Sequence, residues 1–71
     1  MDNIQQRTRD ELVKEAAQLN ALHNPTEWTA WLERCKLAHR MGYITEAYLT
    51  ECAICYVRGI GAVAIHNIDS Q

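Results

Sequence analysis

The chain has no phenylalanine, one proline and three glycines in 71 residues, and after residue 42 it carries a single Lys or Arg. Few breakers mean few turns, so Pro25, Gly42, Gly59 and Gly61 divide the chain into a handful of long segments. The shortage of basic groups is local. Residues 1–24 hold three basic and four acidic side chains, residues 25–42 hold three and two, and residues 43–71 hold Arg58 against Glu46, Glu51 and Asp69. A phosphate-binding surface in the C-terminal part is thereby disfavoured. The formal charge of −2 gives no global drive toward nucleic acid or an acidic membrane.

Other signals are missing too. The opening Met-Asp-Asn-Ile-Gln-Gln-Arg has no apolar stretch of the kind a secretory signal needs. The longest apolar run falls short of the ~20 residues that span a bilayer and is interrupted by Arg58. Three cysteines are an odd number, and Cys52 and Cys55 are too close to staple a loop of useful length. No disulfide scaffold is expected, and a reducing cytoplasm fits best. No Ser/His/Asp arrangement, glycine-rich phosphate loop or paired-carboxylate motif can be assembled, so neither an enzyme nor a cofactor is expected.

What is present is an apolar run. Residues 52–65 hold fourteen positions and one charge. A domain this small leaves much of its surface wet, so part of that run must form the core or be covered by another molecule. The expectation is a single all-α domain over 1–71, with residues 1–7 and 69–71 frayed. It is a compact bundle of three helices at about 8–22, 25–41 and 46–58, plus a short C-terminal helix or strand at about 61–68.

The boundaries rest on capping chemistry. Thr8-Arg9-Asp10-Glu11 matches a capping box, with Asn3 as a weaker start. Leu12, Ala16 and Leu19 follow at helical spacing. Asn24-Pro25-Thr26-Glu27 opens the second helix, and Gly42 closes it in a left-handed cap. Trp28, Trp31, Leu32, Cys35 and Ala38 share one arc, with Ala30, Leu37 and Met41 opposite. Such a helix packs against two neighbours. In the third helix Leu49, Cys52 and Tyr56 share a face, and Gly59 is the expected stop. Beyond it, alanines favour helix while Val63 and Ile65 favour strand.

Four constellations invite chemistry. Cys35, His39, Cys52 and Cys55 could meet as a zinc-stabilised tetrahedron, although all lie mid-helix where cysteine also serves as a small hydrophobe. Cys52-x-x-Cys55 as a redox pair lacks the helix N-terminus such sites use. A helix-turn-helix regulator could be built on Met41-Gly42-Tyr43, but its reading helix would offer Glu46, Thr50, Glu51 and Arg58 to phosphates. Trp28 and Trp31 serve equally as a binding hot spot or as core anchors, and their spacing favours core. His23 lies next to a helix end and is expected to be a solvent-exposed cap residue, and the sequence suggests no role for His66. Pro25, Trp31 and Ala38-His39-Arg40 also resemble a helix of the theta subunit family of bacterial DNA polymerase III. The resemblance covers only residues 25–41, the surrounding chain does not follow the family, and no residue role is carried over.

The first helix is too polar to cover the other two. A symmetric homodimer is therefore expected, with Ile54, Val57, Ile60, Val63 and Ile65 at its interface. The competing arrangement is a monomer in which residues 63–68 fold back over the third helix. The leading functional expectation is a small non-enzymatic cytosolic protein-interaction module, acting as an inhibitor, adaptor or accessory subunit of a larger protein partner. Nucleic acid and membrane are disfavoured as partners.

Overall fold

The structure is a computed structural model that describes residues 3–69. It contains three helices, α1 (Ile4–Leu22), α2 (Pro25–Arg40) and α3 (Glu46–Asp69). No strand occurs among the described residues. The molecule measures 49 × 19 × 15 Å.

Each helix begins at a side-chain oxygen. The Asn3 carboxamide accepts the Gln6 amide at 3.1 Å. Asn24 accepts the amides of Thr26 and Glu27 at 2.9 and 3.3 Å, with Pro25 preset in the first helical position. The Thr45 hydroxyl accepts the Tyr48 amide at 3.1 Å. Asn24→Ala is expected to lower stability by about 1 kcal/mol, read as an earlier urea midpoint at unchanged slope. Gly42, at φ +82, allows the α2 exit, where the Tyr43 amide donates to the Ala38 carbonyl at 2.8 Å. His23 closes α1 in the same left-handed region, at φ 54.

Two expected boundaries are corrected. α1 starts at Ile4, not at residue 8. The Thr8 hydroxyl donates back to the Ile4 carbonyl at 2.7 Å, so Thr8 lies inside the helix and caps nothing. Residues 4–7 are thus helical rather than frayed, and Gln5 Nε2 reaches the Gly42 carbonyl at 3.4 Å. The larger correction is at Gly59. α3 runs through Gly59 and Gly61 without a break, so there is no fourth helix or strand at 61–68. Asp69 is its last residue, and the expected fraying at residues 1, 2, 70 and 71 lies outside the described residues.

The reason for the continuity is packing. A Cβ on Gly59 would land on the six-membered ring of Trp28, so the glycine lets that ring lie directly against the α3 backbone. A glycine inside a helix costs about 1 kcal/mol relative to alanine, and burial of Val63 one turn further on offsets that cost.

The register follows from named pairs. Trp28 meets Gly59, Thr29 Oγ1 lies 3.4 Å from the Tyr56 hydroxyl, and Cys35 faces Cys52, so α2 and α3 are antiparallel. α1 and α2 are joined by His23 and Asn24 alone, and Gln5 at the start of α1 reaches the Gly42 carbonyl just past the end of α2, so α1 is antiparallel to α2 as well. Between those ends Arg34 binds Glu15 at 2.8 Å and Trp31 Nε1 donates to the Leu12 carbonyl at 3.0 Å. α1 and α3 therefore run parallel, tied at one end by Arg9 over the Tyr48 ring and at the other by His23 stacked on His66 at 3.8 Å. Leu12, Ala16, Leu19, Trp28, Trp31, Cys35, Ala38, Ile44, Cys52 and Val63 form the core. The Arg34–Glu15 pair is exposed and contributes at most about 1 kcal/mol.

Candidate functional site

The expected site residues separate into core and surface. Trp28 and Trp31 are 1% and 2% exposed and pack edge to face, with centroids 5.5 Å apart. They anchor the core and are not a surface hot spot. Val63 is buried beside them, and Ile60 packs partly on the same cluster. Val63 is therefore removed from the expected interface, since a residue already covered by its own chain offers nothing to a second one. Ile54, Val57 and Ile65 remain, at 42%, 67% and 62% exposed.

The alternative of a zinc tetrahedron at Cys35, His39, Cys52 and Cys55 is not assembled among the described residues. Among the described residues no group of three or more His, Cys, Asp or Glu side chains could hold a metal ion. The Cys35 and Cys52 thiols face each other inside the core, within hydrogen-bonding reach. Burial pushes both thiols upward, Cys35 well above its ordinary range, where the neighbouring Cys52 adds to the effect. They stay protonated near neutrality, so they act as small core groups rather than as thiolate ligands or nucleophiles. Cys55 is half-buried on the next turn of α3. The antiparallel contact of α2 with α3, sustained from Cys35–Cys52 to Trp28–Gly59, is that of an αα-hairpin. The two helices of a DNA-binding helix-turn-helix instead cross at about 90–120°.

Two concavities border α3. An apolar groove of about 360 Å³ lies between α1 and α3, with Ala16, Trp31, Cys52 and Cys55 on its walls and Asn20 and Glu51 at its rim. No acid and base converge there. A second, more open groove of about 340 Å³ lies on the outer side of α3, between Thr50, Ala53, Ile54, Val57 and Arg58.

The second groove is part of a longer feature. Ala47, Thr50, Ile54, Val57, Gly61, Ala64 and Ile68 are all exposed. They follow one another at alternating spacings of three and four. Residues so spaced share one side of a helix. The buried residues Cys52, Gly59 and Val63 lie on the opposite side. α3 thus has two apolar faces, one against α2 and one uncovered within the chain. Sequence reading missed Gly61, Ala64 and Ile68 because it ended the helix at Gly59. The signal was present in the spacing once residues 46–69 are taken as one helix.

A continuous α3 also changes the membrane question. Its 24 residues are long and apolar enough to cross a bilayer by length and composition, with a mean hydropathy of 1.3 over the best window. The sequence expectation that Arg58 breaks any such stretch is corrected to that extent. Length and composition are properties that an amphipathic core helix shares, and the α2-facing side of α3 is occupied by Trp28. No protein-family model, curated protein or solved structure matches this chain, so its own residues carry the functional reading.

Proposed function

We propose that the chain is a small non-enzymatic interaction protein whose binding surface is the outer face of α3. It acts by occupying a surface on another protein, as an inhibitor, adaptor or accessory subunit, or by self-association. One observation carries this reading: the exposed Ile54, Val57, Ile65 and Ile68 stand on the side of α3 turned away from the core. A contiguous apolar patch exposed on so small a protein marks an interaction site. Glu46, Glu51 and Arg58 supply a charged rim, as protein interfaces have. An odd number of cysteines, with the Cys35 and Cys52 thiols held in the core, supports a reducing, cytosolic setting.

Val57→Glu tests the face. Val57 is 67% exposed, so the variant is expected to keep wild-type helical circular dichroism. Immobilised wild-type chain is expected to retain either untagged copies of itself or a second protein from its native cell, and Val57→Glu to lose what the wild type retains. Identical retention by both chains would remove the outer face of α3 as the binding surface.

A further inference from the structure

The outer seam of α3 has a charge pattern that selects its occupant. We propose that it is covered by α3 of a second copy of this chain, antiparallel, in the register that sets Ile54 against the partner's Val57 and Glu51 against the partner's Arg58. The proposal rests on the outer face being the binding surface and names what binds there.

The seam runs from Ala47 to Ile68, about 32 Å along the helix at 1.5 Å per residue. Glu51 and Arg58 lie on the same flank of it, seven positions apart. Two helical turns separate them, so they cannot pair within one helix, where partners sit three or four positions apart. Among the described residues neither makes an ion pair elsewhere in the chain.

A two-fold axis midway between Ile54 and Val57 changes this. Each antiparallel layer then joins positions whose numbers add to the same value: Ile54 with Val57, Thr50 with Gly61, Ala47 with Ala64. The large side chains meet at the centre and the small ones toward the ends, where close approach needs little volume. On the flank carrying the charges, Glu51 meets the partner's Arg58 and Arg58 meets the partner's Glu51. On the other flank Ala53 meets the partner's Ile60, which is apolar on both sides.

The parallel alternative fails on charge. In a parallel pair the flanking contacts join a residue to the partner residue five positions further on. That sets Glu46 beside the partner's Glu51, twice, and leaves Arg58 opposite Ala53. Flanking charges of this kind decide orientation in helix pairs. Gly61 adds a further point. A Cβ there would meet nothing within 4 Å in the monomer, so the chain's own packing does not require the glycine. Close approach of the partner's Thr50 does make use of it.

The test is sedimentation equilibrium of the full chain up to high micromolar concentration. The wild type is expected to be dimeric. Glu51→Arg and Arg58→Glu each place two like-charged pairs in the dimer and are expected to weaken it about tenfold. The double variant Glu51→Arg/Arg58→Glu rebuilds both pairs and is expected to recover most of the loss. Both positions are exposed, and unchanged circular dichroism confirms that each variant is folded.

A wild-type chain that stays monomeric overturns the proposal. If Val57→Glu still abolishes capture of another protein, the outer face stands as a binding surface with a different occupant. If Val57→Glu abolishes nothing, the face itself falls. A dimer weakened by the single variants but not recovered by the double variant overturns the register. Co-sedimentation of monomeric chain with phosphatidylcholine vesicles, lost in Val57→Glu, would assign the seam to lipid and overturn the second copy.

Discussion

Trp31→Ala is expected to remove about half or more of the chain's stability at room temperature. A 71-residue chain has a total stability of roughly 4–10 kcal/mol at 0.05–0.15 kcal/mol per residue. Truncating a buried tryptophan to alanine costs about 3–5 kcal/mol. Trp31 stands at the upper end of that range for three reasons. Its ring is 2% exposed. It packs edge to face on Trp28, an arrangement that adds about 0.5–1.5 kcal/mol beyond burial. Its indole donates to the Leu12 carbonyl at 3.0 Å, a buried side-chain bond tying α1 to α2. Trp31→Phe keeps an aromatic ring and loses the donor. The Leu12 carbonyl still has its own helix bond, so that variant should cost distinctly less. Urea unfolding followed by far-UV circular dichroism orders the three proteins. Equal midpoints for Trp31→Ala and the wild type would contradict the core described here.

Two chemically identical substitutions in α3 are expected to move stability in opposite directions. At Gly59 a methyl group falls on the Trp28 ring, which is 1% exposed and hemmed in by the rest of the core. Overpacking of this kind costs about 1–3 kcal/mol, and the gain in helix propensity returns at most about 1 kcal/mol. Gly59→Ala is therefore destabilising, and Gly59→Leu should prevent α2 and α3 from docking. At Gly61 the methyl meets nothing within 4 Å, so Gly61→Ala stabilises the monomer by about 1 kcal/mol through helix propensity alone. Urea midpoints at low protein concentration, where self-association does not contribute, measure both. Stabilisation by Gly59→Ala would mean that Trp28 does not lie against α3.

The charge-swap experiment is independent of these two, because Glu51 and Arg58 lie outside the core. Arg58 adjoins Gly59 in the chain but is exposed where Gly59 is buried, so the two substitutions share no contact. A folded, destabilised Gly59→Ala chain should therefore respond to charge reversal as the wild type does.

How much of this could be read beforehand depends on how far each signal reaches along the chain. The α2 start at Asn24-Pro25 and the left-handed exit at Gly42 are local backbone chemistry, and both appear where the residues place them. The core arc of Trp28, Trp31, Cys35 and Ala38 follows from helical periodicity alone. So does the separation of Ile54 and Val57 from Cys52, since residues of one helix keep their angles whatever surrounds them. The start of α1 was less legible. Asn3 and Thr8 are both good caps, and the choice of Asn3 accompanies a tertiary contact, Gln5 with the Gly42 carbonyl.

Gly59 shows where local information ends. A glycine that stops a helix and a glycine that admits a neighbouring ring are the same residue with the same neighbours in sequence. Only the arrival of Trp28 from α2 distinguishes them, because the favourable contact of that ring with bare backbone exists only after the helices have docked. With Gly59 read as a contact, α3 continues to Asp69, Val63 turns inward, and the residues from Ala47 to Ile68 align into one exposed seam. Side-chain spacing decided that this chain would be three amphipathic helices. The meeting of one indole with one missing Cβ decided how long the third would be, and with it which face of the protein was left open.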